Sequence, residues 1–250
     1  MTDAPAAGAP EPLGWGEVFN PAQAATGDSI LPFLGLGQAL AARASVIAEV
    51  GCGRGSEAYG ERADGFAPIQ DLRGPGRRVI GLDVDPVGAQ NPMIDEFRRI
   101  ENDAWPLADA SVDLAVSDWV LEHVQDPQAF VAELARTLRP GGAFVARTVS
   151  RFSPLSMAAR AVPNSEHTRV LSVLQPRRQA RDVFPTAYRM NSERSLAALF
   201  AGRFDHVVVH RADLGQYFLR WPRTSRAISA VEPHLPKALR STLVVYARKR

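Results

Sequence analysis

The apolar positions of the chain fall into short uninterrupted runs separated by longer amphipathic stretches. "SVIAEV" (45–50) is such a run, closed by glycines, as expected of a strand buried on both faces. "RRVIGLDVDP" (77–86) repeats the design, with an acidic end and a proline stop. A weaker strand is predicted over Arg98 to Asn102, a fourth at "SVDLAVSD" (111–118) and a fifth at "GGAFVARTV" (141–149). Helical periodicity occupies Ile30 to Arg43, interrupted by Pro32 and two glycines, and a helix start is read at "SEAYGERA" (56–63). Phe130, Val131, Leu134 and Leu138 predict a helix over Gln128 to Arg139, stopped by "RPGG". Strand and helix alternating in this way predict a Rossmann-like, doubly wound, mostly parallel sheet with helices on both faces.

Beyond Val149 the texture changes. Residues 150–191 are rich in arginine and proline without a strand pattern. "SLAALFA" (195–201) then reads as a helix, and "FDHVVVH" (204–210) and "STLVVYARK" (241–249) as closing strands, the last pair open to antiparallel pairing. The expected organisation is an Ala/Pro-rich tail over 1–26 and one domain over 27–250. That domain divides into a cofactor half (44–150), an acceptor-side insertion after the fifth strand (151–194), and closing strands with a second insertion (195–250).

Composition adds constraints. Hydrophobic residues make up 46% and charged residues 22%, as in a globular protein, and the net charge of +2 gives no argument for a nucleic-acid partner. No apolar run reaches the roughly 20 residues of a membrane helix. The opening "MTDAPAAGAPEPLG" lacks the basic and apolar parts of a secretory signal. Cys52 is the single cysteine, which rules out an internal disulfide and fits a reducing, cytoplasmic setting. It reads as a small buried filler. Five histidines without ligand spacing predict no metal site.

The glycines of "VIAEVGCGRG" (46–55) imply close approach to the backbone at the carboxyl end of the first strand, where ligands of such sheets bind. A dinucleotide fingerprint would need glycine at position 56, which is serine. Asp83 also lies about thirty residues on, against the ~20 of a dinucleotide site. A phosphate-binding Walker loop is excluded, because no Gly-Lys-Ser/Thr follows.

Together, "AEVGCGRG", "VIGLDVDP", "NDAWPLADASVDLAVSDWVLEHV" and "ELARTLRPGGAFVARTVS" resemble, in content and order, the class I S-adenosylmethionine-dependent methyltransferases. "WPLADASVDL" and "DVFPTAYRMN" are similar to the branch associated with glycan and natural-product biosynthesis. The resemblance implies S-adenosyl-L-methionine as cofactor. It would set Glu49 on the methionine ammonium, Gly51 and Gly53 in backbone contact, Arg54 on the carboxylate and Asp83 on the ribose hydroxyls. Asp103 and Ala104 would meet the adenine edge, and Ser117, Asp118 and Trp119 would floor the sulfonium. Structural alternatives remain open for each: Asp83 as a turn cap, Glu49 as a buried structural acid, Arg54 as a solvated side chain.

An oxygen acceptor calls for a general base, and His123 ("LEHV") and His167 ("VPNSEHTRV") are the candidates, against plain packing or capping roles. "SDWV" stands where amine methylases of nucleic acids and proteins carry Asn-Pro-Pro-Tyr. Arg160, Arg169, Arg177, Arg178, Arg181 and Arg189, opposed by Glu166, Asp182 and Glu193, suit an anionic acceptor or simply a solvated basic face. The expected activity is O-methylation of a small molecule or sugar-linked acceptor. Alternatives are a lipid or quinone methylase, with "LSMAARAV" and "YFLRW" lining the acceptor, a non-catalytic cofactor-binding subunit, and a nicotinamide oxidoreductase.

Overall fold

A computed structural model describes residues 30–55, 69–161 and 185–250. Its helices are α1 (Ile30–Ala41), α2 (Pro127–Thr137), α3 (Pro154–Ala161), α4 (Glu193–Phe200) and α5 (Pro222–Val231). The strands are β1 (Val46–Val50), β2 (Arg78–Asp83), β3 (Glu96–Arg99), β4 (Val112–Asp118), β5 (Leu138–Val149), β6 (Phe204–Arg211) and β7 (Thr242–Lys249). The sequence stretches 1–26 and 56–63 lie outside the described residues.

All seven strands form one sheet in the order β3-β2-β1-β4-β5-β7-β6. Its first five members are parallel, and β7 runs antiparallel between β5 and β6. The antiparallel pairing expected of the closing strands is present. Chain order reverses between β1 and β4, which opens a crevice beyond their carboxyl ends.

The uninterrupted apolar runs have a direct cause: both sheet faces are covered. Ile47, Val79, Leu114 and Val145 pack with Phe33, Leu34 and Leu36 of α1. Ala48, Leu82, Ala115 and Phe144 face the other way, against Phe130 and Leu134 of α2 and Leu196 and Phe200 of α4. On that side a line of aromatic rings runs Trp105–Phe130–Phe144–Phe200–Phe204, with centroids 5.3, 6.1, 6.4 and 5.3 Å apart.

Two boundaries differ from expectation. The third strand occupies Glu96–Arg99, not Arg98 to Asn102. It is a sheet edge whose "EFRR" sequence offers one apolar side chain, and Glu96 pairs with Arg78 of β2 and with Arg98. Charge on an edge strand blocks pairing with foreign strands, at the cost of a weak sequence signal. The second helix runs Pro127–Thr137, not to Arg139. Asp126 starts it by accepting from the N–H groups of Gln128 and Ala129 at 2.9 and 3.0 Å, with Pro127 in the first turn. Leu138 is already extended (φ −66°, ψ 140°) and belongs to β5. Pro140 disfavours helix at the residue before it, so the turn of helix that Leu138 would have completed cannot close.

Among the described residues no helix is long and apolar enough to cross a membrane. In the 151–194 stretch the described part contains α3 and the start of α4 and no strand.

Candidate functional site

The turn after β1 is set by backbone conformation. Gly51, Gly53 and Gly55 all take left-handed φ values, of 72°, 49° and 81°. A Cβ on Gly51 would overlap the Val120 side chain, and one on Gly55 would come within 2.6 Å of Asn91 Oδ1. Two of the three glycines therefore admit the protein's own loops, and their presence does not by itself report a ligand. The Gly51 and Cys52 N–H groups donate to the Leu82 carbonyl at 2.7 and 3.1 Å, and Asn91 Nδ2 donates to the Cys52 carbonyl at 2.9 Å. Cys52 is buried, and burial, then Glu49 and Asp83, pushes its thiol far up, so it remains an unionised filler.

Asp83, at the tip of β2, holds this turn. Its Oδ2 accepts from the Gly53 N–H and its Oδ1 from the Asp85 N–H, each at 2.9 Å. A carboxylate has about four acceptor positions, so two remain for a ligand. Arg54 follows in the same turn and is half-buried. Glu49 lies one residue short of the end of β1, with its carboxyl shifted by its surroundings. Burial, then Asp118, Asp71 and Asp83, pushes its carboxyl up to about 8. Glu49 thus has three further carboxylates around it, Asp118, Asp71 and Asp83. A pyrophosphate would be repelled there, whereas a ligand carrying an ammonium and a sulfonium meets its complement. These residues fit S-adenosylmethionine better than a dinucleotide.

Asp103 and Ala104 lie in an exposed tight turn closed by the Ala104 N–H donating to the Glu101 carbonyl at 3.0 Å. Asn102 and Asp103 both take left-handed φ, of 51° and 59°. Beneath the turn Trp105 is buried and its N–H donates to Glu133 Oε2 at 2.7 Å. Arg136 grips the same carboxylate and donates to the carbonyls of Trp105 and Leu107 at 2.9 and 2.7 Å. Helix α2 thereby fixes the "WPLADA" loop, a role for Glu133 and Arg136 that the sequence alone does not disclose.

The tip of β4 splits across the sheet. Strand alternation puts Ser117 on the α2 side, where it is fully buried with no partner for its Oγ among the described residues, and turns Asp118 toward α1. Asp118 is held by Arg147 of β5 through two bonds, Nε–Oδ1 at 2.8 Å and Nη2–Oδ2 at 2.7 Å. Arg147 is only 6% exposed. Its guanidinium lies 4.9 Å from the centroid of Trp119 and 5.2 Å from that of Phe33 on α1. Burial works against its charge, but Asp118, then Asp213 and Tyr217, more than offset that and raise its pKa. Trp119 takes a left-handed φ of 57°, and its N–H donates to the Arg147 carbonyl at 2.9 Å. Sequence reasoning missed Arg147; its signal was an arginine directly after the apolar run Ala143–Ala146.

His123 follows this tip. Its Nδ1 donates to the Pro185 carbonyl at 3.1 Å, which assigns the basic lone pair to Nε2 and ties residue 185 to the loop after β4. His167 lies outside the described residues. A second unanticipated network sits next to His123. Buried Glu122 accepts from Thr148 Oγ1 at 2.7 Å, which in turn accepts from Asn191 Nδ2 at 2.7 Å. Asn191 Nδ2 also donates to the Val149 carbonyl at 2.9 Å. Burial drives the Glu122 carboxyl upward. The network fixes the approach to α4 against the tips of β4 and β5. Arg189 of the basic stretch donates to the Gln125 carbonyl; Arg169, Arg177, Arg178 and Arg181 lie outside the described residues. Among the described residues no cluster of three metal-ligating side chains occurs.

Residues 48–146 match a family model described as a methyltransferase domain. A probable S-adenosylmethionine-dependent methyltransferase of Mycolicibacterium smegmatis is 42% identical over 137 residues, taking in 52% of this chain and 47% of that protein. A protein of the same description from Mycobacterium tuberculosis is 37% identical over 134 residues, covering 50% of this chain and 43% of its own. The chain therefore spans less than half the length of these two relatives. Among solved structures, geranyl diphosphate methyltransferase in complex with SAM has 16% identity and a TM-score of 0.49, covering 87% of this chain and 85% of that chain. The segment that resembles these methyltransferases holds the glycine turn, Asp83 and the β4 tip, so the similarity falls on the crevice described above.

Proposed function

We propose that the protein transfers a methyl group from S-adenosylmethionine to a hydroxyl of a small-molecule or glycan-linked acceptor. The observation that carries the cofactor part is the meeting of Glu49, Asp83 and the β4 tip at one crevice, where burial and then the neighbouring carboxylates push the Glu49 carboxyl up to about 8. In this reading Glu49 takes the ammonium, Arg54 the carboxylate, and Asp83 the ribose hydroxyls through its two remaining acceptor positions. Gly51 and Gly53 bring the backbone close to the methionine portion, and the Asp103–Ala104 turn meets the adenine edge. Ser117, Asp118 and Trp119 floor the sulfonium.

When bound, the cofactor supplies a methyl carbon made electrophilic by the attached sulfonium. The residues of the chain then have two roles, alignment of acceptor with methyl and removal of the acceptor's proton. His123 is the base of this reading, because its Nδ1–H is committed to the Pro185 carbonyl and its other nitrogen is the proton acceptor. His167 keeps the same role as an alternative. The 151–194 segment, with Arg160, supplies the acceptor side, and its arginines suit an anionic portion such as a phosphate or carboxylate. Arg189 donates one N–H to the Gln125 carbonyl and keeps its charge and its other donors for that role. A reducing, cytoplasmic setting accords with the single buried thiol of Cys52.

A second reading, an apolar lipid or quinone acceptor, is favoured by one observation: Phe152 and Met157, beside the β5 tip, are each 44% exposed. The two are separated by incubating the protein with cofactor carrying a labelled methyl group and panels of sugar-linked, acidic and prenylated hydroxyl compounds. The first reading predicts label in the sugar-linked or acidic panel, lost in His123→Ala. Label confined to the prenylated panel favours the second. Tight cofactor binding with no labelled product from any panel points to a non-catalytic cofactor-binding subunit.

A further inference from the structure

The floor of the crevice contains a buried cation. Arg147 makes two bonds to Asp118, has the ring centroids of Phe33 and Trp119 at 5.2 and 4.9 Å from its guanidinium, and receives the Trp119 N–H on its carbonyl. Asp83 presents a different arrangement, since among the described residues its carboxylate accepts from the backbone N–H groups of Gly53 and Asp85. Resting on the cofactor reading above, we propose that Arg147 is a positioning residue which cancels the charge of Asp118 beneath the sulfonium position. It thereby sets the preference of the site for S-adenosylmethionine over S-adenosylhomocysteine.

The physical reason is differential binding. The two molecules differ by one methyl group and one positive charge. A bare carboxylate under the sulfonium would bind the charged form more tightly than any state in which that charge is being lost, and so would raise the barrier to transfer. A carboxylate tied to a guanidinium is a dipole, which orients the tip of β4 without that bias. The geometry suits this role, because the pair is bidentate, 29 residues apart in sequence and brought together by the Asp118↔Arg147 register of β4 and β5. Lysine, with a point charge and no fork, would retain the charge and lose the geometry.

The test is calorimetric titration of the whole protein with both adenosyl compounds, for wild type, Arg147→Lys, Arg147→Met, Asp118→Asn and the Met/Asn double variant. Removing the cation should raise the ratio of S-adenosylmethionine to S-adenosylhomocysteine affinity by about tenfold, the size expected of one partly screened charge. Asp118→Asn should lower the ratio by a similar factor, the double variant should return it to near the wild-type value, and Arg147→Lys should leave it within about twofold. A purely structural pair would weaken both ligands together, so single variants that change both affinities with a constant ratio overturn the inference. Should Arg147→Met fail to fold, Asp118→Asn carries the same test with the opposite sign. A wild type that binds neither compound overturns the cofactor reading itself, an outcome distinct from an unchanged ratio.

Discussion

The tips of β2 and β4 both end in an aspartate, and the two carboxylates are held in opposite ways. Asp83 accepts two neutral backbone N–H groups, one from Gly53 in the glycine turn and one from Asp85, two residues further along its own loop. Asp118 is gripped by a buried guanidinium. The first arrangement orders a carboxylate without cancelling it, leaving an acceptor for ligand hydroxyls. The second removes the charge and uses the side chain as a brace. Two strand ends of the same sheet and the same residue type therefore do different chemistry, decided by what the neighbouring loop or strand presents.

The largest effect that separates the two belongs to Asp83→Ala. It removes both acceptor bonds to the turn and the proposed ribose contacts, and S-adenosylmethionine affinity should fall by about a hundredfold or more in calorimetry. An affinity within threefold of wild type would make Asp83 a turn brace like its counterpart. Next comes Gly51→Ala, in which a Cβ meets Val120 and φ stays at 72°. The expected loss is about 2–3 kcal/mol of stability by denaturant unfolding. Gly76→Ala has nearly the same φ, 73°, and open space around the new methyl, so its cost should be only about 1–2 kcal/mol.

Glu49 gives a pH signature. Its carboxyl stands at about 8 in the folded, cofactor-free protein against an ordinary 4.5. The folded state therefore holds a proton that the unfolded chain releases. The stability this contributes is complete below pH 4.5, declines above it, and is lost as pH rises through about 8. Glu49→Gln should flatten the fall in Tm between pH 5 and pH 8, and a slope equal to wild type would contradict the assignment. Smallest is Arg73→Ala. The Asp71–Arg73 pair lies at the solvent margin of the same acidic group, so cofactor affinity should change by no more than about twofold.

The sheet was largely legible from sequence because its strands are covered on both faces and must be continuously apolar, as in Val79–Leu82 and Leu114–Val116. Where that condition fails the signal fades. β3 is an edge carrying Glu96, Arg98 and Arg99, and its expected position was displaced toward Asn102. Leu138 continues the helical spacing of α2, yet it is the backbone constraint from Pro140 that decides its conformation. In the crevice, the glycine turn and Asp83 could be picked out because they follow their strands directly. Arg147, and the Glu122–Thr148–Asn191 network, could not. Their partners are 26 to 43 residues away and meet only once β4, β5 and the approach to α4 are in register.

The central claim, that this crevice is an anionic receptor for a cationic adenosyl ligand, is tested most directly by titrating the wild-type protein at pH 7 with S-adenosylmethionine and with NAD, in two buffers of different ionisation enthalpy. The account predicts binding of S-adenosylmethionine alone, with release of up to about one proton as the ammonium draws Glu49 into its ionised form. Binding of NAD in its place, or S-adenosylmethionine binding with proton uptake, would contradict it.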